Sequence, residues 1–105
     1  QGKLPEIFDK IGKWWGNNPI LKREEEIDIL CINDHSALFA ECKWRNKKTG
    51  VKEYNELTKK SELIKAGKKY FYLFSKTGFT ENLERLSGEV NNLKLIDLAD
   101  LYENN

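Results

Sequence analysis

The 105-residue chain has no methionine, two cysteines, one histidine and almost no excess of either charge. Each scarcity removes a class of function. No run of about 18 apolar residues occurs, so no transmembrane helix is expected. No secretory leader pattern is present either, and the expected setting is the cytoplasm. Cys31 and Cys42 do not have a metal-ligand spacing. The single His35 falls in a turn, with no partner signal for a catalytic triad. A net charge of +1 argues against binding nucleic acid by global attraction, but leaves room for a local basic patch. The missing methionine and the Gln1-Gly2 start imply that residues 1–105 are a single domain from a longer chain.

What is present reads as alternating strands and helices. IFDKIGKWWG suits an extended strand interrupted by glycine, and GNNP a turn. REEEIDILCI alternates as a strand, NDHS turns, and ALFAECKW is a second strand. RNKKTG is a basic loop. VKEYNELTKKSELIKAG has helical spacing, with Tyr54, Leu57 and Ile64 on one face and Gly67 as its stop. KKYFYLFSK is apolar on both faces, as in a central strand covered twice. TENLERLSG is a short helix capped by Thr80 and stopped by Gly88. NLKLI is a last strand, and DLADLYENN a terminal helix. The order β-β-β-α-β-α-β implies antiparallel pairing first and parallel crossovers later, hence a mixed sheet with helices against it, of the α/β class.

The stretch EIDILCINDHSALFAECKW carries Asp28, Glu41 and Lys43 inside apolar runs. A hairpin centred on Asp34-His35 sets Asp28 opposite Glu41 and Glu26 opposite Lys43. Opposed residues share a face, with Cβ atoms about 4.5–5.5 Å apart. Glu26, Asp28, Glu41 and Lys43 then form one polar cluster. Ile27, Ile29, Cys31, Leu38, Ala40, Cys42 and Trp44 fall on the other face, expected to be core. Cys31 and Cys42 lie roughly 13 Å apart along this ladder, so both thiols should be free. Two facing carboxylates repel unless a cation sits between them. Oxygen ligands suit Mg²⁺ or Mn²⁺, and a neighbouring lysine can orient water or stabilise phosphate charge. That set suits metal-assisted phosphodiester hydrolysis. A plain cross-strand salt-bridge ladder, Glu26 with Lys43, is the competing reading.

EIDIL, a turn and FAECKW resemble the PD-(D/E)XK nuclease superfamily. By that resemblance Asp28 and Glu41 are metal ligands, the main-chain carbonyl of Cys42 completes the coordination, and Lys43 is the catalytic lysine. YLFSKTGFTENLERLSGEVNNLKLIDLADL is similar to the later half of Mrr-type and archaeal Holliday-junction-resolvase-like nucleases. KIGKWWG, KREEEIDIL, ECKWR and LFSKTGFT resemble the C-terminal domain of archaeal P-loop ATPases, over roughly residues 7–101. The resemblance implies a restriction-endonuclease-like fold, a divalent-metal-dependent DNA endonuclease, and an upstream ATPase module as partner within the longer chain. No Gly-x-x-x-x-Gly-Lys loop occurs in these residues, so they form no P-loop of their own. The superfamily's acidic helix before the first strand has no counterpart, since Glu6 and Asp9 are poor stand-ins. That helix is expected upstream or from a partner subunit. The alternative is a nuclease-like fold that no longer cleaves and serves the ATPase as an interaction or regulatory module. A homodimer would bring two sites to two strands.

The remaining residues divide between two roles. Arg45, Lys47, Lys48 and Lys52 follow the cluster and could hold a phosphate backbone, or form a solvated basic loop. Lys59 or Lys60 could extend that patch, with one of them facing the site. Trp14 and Trp15 suit base stacking or, more often, core and edge packing. Ser75-Lys76 and Thr77-Gly78 suit a site-lining loop less well than a turn leading to a helix cap.

Overall fold

The computed structural model describes residues 8–18 and 23–99. Its elements are β1 (Lys10–Asn18), β2 (Arg23–Ile32), β3 (Ser36–Lys43), α1 (Val51–Ser61), β4 (Lys68–Ser75), α2 (Glu81–Glu89) and β5 (Leu93–Asp97). They form one sheet in the order β1-β2-β3-β4-β5. The first three strands pair antiparallel and the last three parallel. This is the mixed α/β arrangement that the element order implies. Each parallel step is bridged by a helix, because a tight turn cannot return a chain to a parallel neighbour. Among the described residues no helix is long and apolar enough to cross a membrane.

The β2–β3 hairpin keeps the expected register, Ile29 with Ala40, Leu30 with Phe39, Cys31 with Leu38 and Ile32 with Ala37. Its turn is closed by Asn33, whose Oδ1 accepts the N–H groups of His35 at 2.8 Å and Ser36 at 2.7 Å. On the other side of β2 the register shifts. Gly12 pairs with Leu30 but Trp14 pairs with Ile27, so Asp28 and Ile29 together oppose Lys13. That extra residue is a β-bulge in β2, a feature that bends a strand locally.

The core lies on the face opposite to the one expected. Ala37, Phe39, Phe71, Leu73 and Leu93 of the sheet pack with Leu57 of α1, Leu83 of α2 and Phe79. By alternation this helix-covered face is also the face of Glu41 and Lys43. Among the described residues, the apolar cluster on the other face is smaller: Cys31, Leu38 and Ala40 are buried, with Phe8, Tyr70, Tyr72 and Phe74 partly buried around them. Ile29 is 43% exposed, Trp44 58% exposed, and Cys42 is exposed as well. The side chain of Ile27 lies outside the described residues. Strand β4 is therefore fully covered on one face only.

Two helix ends also differ from expectation. Helix α1 stops at Ser61, not at Gly67. Leu63 and Ile64 bond back to the carbonyls of Lys60 and Ser61, tightening the chain into i→i+3 turns. Gly67 instead donates its N–H to the His35 carbonyl at 2.8 Å, beside the start of β4. Helix α2 runs through Gly88 to Glu89, with the Thr80 hydroxyl accepting Leu83 N–H at its start. Leu98 and Ala99 begin a helical turn, and the rest of the expected terminal helix lies outside the described residues. Cys31 and Cys42 are free thiols, as expected.

Candidate functional site

Strand β3 carries Ala37 and Phe39 into the core and then, on the same face, Glu41 and Lys43. Glu41 is therefore a carboxylate at the end of an apolar core, 5% exposed. A buried anion must be paired or neutralised. Glu41 is paired twice. Its Oε1 accepts from Lys60 Nζ at 2.9 Å, and its Oε2 lies 2.5 Å from Lys43 Nζ.

Lys60 comes from α1. It stands three residues after the buried Leu57, on the helix face turned to the sheet. It is 2% exposed, while Lys59 is exposed. Of Lys59 and Lys60, Lys60 is the one that faces the site. Lys43 keeps about a quarter of its side chain accessible. Among the described residues one carboxylate lies between two ammonium groups, one of them buried and one reaching the surface.

Lys43, Ser75 and Asp97 pair in register at the ends of the parallel strands. Ser75 is spent on its own turn. Its Oγ donates to the Gly78 carbonyl at 2.9 Å and accepts the Thr77 N–H. Gly78 has φ +91°, a conformation open to glycine. Asp97 Oδ1 accepts the Ala99 N–H at 3.0 Å. The segment Ser75 to Gly78 is thus a turn leading to the Thr80 cap.

The loop after β3 is tied down rather than loose. Arg45 Nη2 bonds Glu53 Oε2 at 2.5 Å, and Glu53 Oε1 accepts the Gly50 N–H at 2.8 Å. Burial alone would raise the Glu53 carboxyl. The Arg45 hydrogen bond, two backbone N–H groups and the Arg45 charge together outweigh it and hold the acid below its ordinary value. Arg45 Nε and Thr49 Oγ1 are buried without a hydrogen-bond partner. Lys47, Lys48 and Lys52 are exposed and flank a shallow groove where α1 and α2 begin, beside Thr80 and Asn82.

Among the sequence-derived candidates, the structure brings together Glu41 and Lys43. The backbone of Asp28 lies in the β2 bulge, one residue beyond the last described β2–β3 pair, and Glu26 pairs with Trp15. The side chains of Asp28, Glu26, Trp14 and Trp15 lie outside the described residues. Cys42 turns its thiol to the opposite, exposed side, while its carbonyl lies between Glu41 and Lys43 in the chain. For Mg²⁺ or Mn²⁺, the described donor is the Glu41 carboxylate, where the Lys60 ammonium stands as a cation 2.9 Å from Oε1. No three Asp, Glu, His or Cys residues gather to hold a metal among the described residues. The Glu41 carboxylate is an oxygen donor of the type a hard cation takes, and each of its oxygens is engaged by a lysine.

Residues 1–60 match DUF234, a family of archaeal and bacterial proteins of unknown function. The chain belongs to this family. Within this DUF234 chain, Glu41, Lys43 and Lys60 all fall inside the matched residues. The uncharacterized protein MJECL04 of Methanocaldococcus jannaschii is 46% identical over 66 residues. That match covers 59% of this chain and 14% of the relative, so the chain spans about one seventh of the relative's length. A crystal structure of the protein of unknown function AF1548 is similar over 69% of this chain and 40% of its own, at 27% identity and a TM-score of 0.50.

Proposed function

We propose that this domain binds DNA and hydrolyses its phosphodiester bonds with the help of a divalent cation. The observation that carries this reading is the Glu41–Lys43 pair at the end of β3. It joins a buried carboxylate to a solvent-reaching ammonium, next to the strand that bears Asp28. The likeness of EIDIL and FAECKW to PD-(D/E)XK nucleases, and the restriction-endonuclease-like fold it implies, support the same roles. Glu41, Asp28 and the Cys42 carbonyl would hold Mg²⁺ or Mn²⁺, which when bound supplies Lewis acidity at the phosphate. Lys43 stabilises negative charge developing on the phosphate and orients the attacking water. Lys60 holds the Glu41 carboxylate in place through its 2.9 Å hydrogen bond. Lys47, Lys48 and Lys52 hold the phosphate backbone by charge.

The double pairing of Glu41 favours a second reading, a nuclease-like module that docks or regulates an upstream ATPase module without cutting. Calorimetric titration of Mn²⁺ into the domain, beside Asp28→Asn and Glu41→Gln, separates the two. Binding lost in both variants, with metal-dependent DNA cleavage abolished by Lys43→Ala, supports the enzyme. Absence of Mn²⁺ binding and cleavage in a chain that includes the upstream segment leaves the module reading.

A further inference from the structure

Trp44 directly follows Lys43, and its position departs from what its type suggests. A tryptophan after an apolar strand normally contributes to a core. Here it is 58% exposed. Single exposed apolar residues are common and carry little meaning alone. Trp44, however, is held in place. The Lys76 ammonium sits 5.3 Å from its ring centroid, within the range of a cation–π contact. The two loops that carry these residues are fastened together. Lys76 N–H donates to the Lys43 carbonyl at 3.1 Å, and the Thr77 hydroxyl donates to the Arg45 carbonyl. The result is an oriented, largely exposed indole, one residue from Lys43, with an ammonium over its ring.

We propose that Trp44 and Lys76 form a stacking platform for an unpaired nucleobase, so that the preferred ligand is single-stranded or locally unpaired DNA. This rests on the nucleic-acid reading above and narrows its substrate class. An indole face binds any base by stacking, but only a base out of a duplex stack can present its face. The adjacent ammonium suits the phosphate of the stacked nucleotide. Duplex DNA offers phosphates to Lys47, Lys48 and Lys52 but no base face to Trp44.

The test is fluorescence anisotropy of the whole domain with a labelled oligothymidine and with a duplex, in EDTA so that metal and cleavage play no part. The parent should prefer the single strand. Trp44→Ala should weaken single-strand binding by about 5- to 100-fold and leave duplex binding unchanged. Trp44→Phe should retain most of the affinity, and Lys76→Gln should lower both affinity and its salt dependence. Because Trp44 is exposed, its replacement should leave the fold intact by circular dichroism. Unchanged single-strand binding in Trp44→Ala, or a parent that binds no single strand, overturns the platform. Binding lost with Trp44 in a domain that never cleaves would overturn the catalytic reading and leave the platform standing.

Discussion

Lys60 Nζ lies 2.9 Å from Glu41 Oε1, with both side chains almost wholly shielded from water. The pair ties α1 to β3 at the end of the core. Taking two charges out of water costs several kcal/mol per ion, and their attraction offsets that only while both are present. Lys60→Met should therefore destabilise the domain by about 3 kcal/mol, at the low end for a broken buried pair because Lys43 still faces Glu41. The double variant Lys60→Met, Glu41→Gln should recover part of that loss. Urea unfolding measures both, and a loss below about 1 kcal/mol in the single variant would mean that the pair is solvated as surface pairs are.

The same ammonium opposes any divalent cation at Glu41. Like charges about 4 Å apart repel by about 4 kcal/mol per unit charge pair at an effective dielectric of 20. Even after relaxation, removing the Lys60 charge should tighten Mn²⁺ binding by about tenfold or more. Calorimetry of Lys60→Met against the parent reads this directly. Equal affinities would place the bound metal away from Oε1 and count against Glu41 as its ligand.

The hairpin was legible because its turn chemistry is local. Asn33 closes the turn, and strict alternation fixes the pairs on either side. Which face the helices cover was not legible in the same way. SALFA is apolar on both faces, so alternation within β3 cannot choose between Phe39 and Leu38 as the deeper side. The choice is made by the parallel strands, where Phe39 stacks on Phe71 at 5.6 Å and both join one core cluster with Leu57 of α1 and Leu83 of α2. That tertiary choice puts Glu41 at the end of the core and leaves Trp44 in water. Lys60 had a usable signal, its i+3 spacing from Leu57, but a lysine on an inward face reads as an error until its partner is known. The end of α1 was hidden because Leu63 and Ile64 prolong an apolar pattern that the backbone abandons at Ser61. The bulge at Asp28 and Ile29 arises from pairing with β1, which nothing in β2 itself announces.

Glu53 ties the start of α1 to Arg45, and its acidity should show in the pH dependence of stability. Burial pushes its carboxyl up, while the Arg45 and backbone hydrogen bonds and the Arg45 charge push it down further. The folded value is thus below the unfolded one, and the unfolded chain takes up the proton first as pH falls. The stabilisation is complete above the ordinary glutamate value of about 4.3 and is lost as pH drops through the lower folded value. Glu53→Gln removes the titration. The stability gap between parent and variant should be widest near neutrality, where Arg45 faces a full charge, and should close as the pH falls into that acidic window. Urea midpoints across the range measure the gap. A gap that stays constant down to the acid transition would show that Glu53 acts through its hydrogen-bond geometry alone, since glutamine keeps the acceptor oxygen but carries no charge.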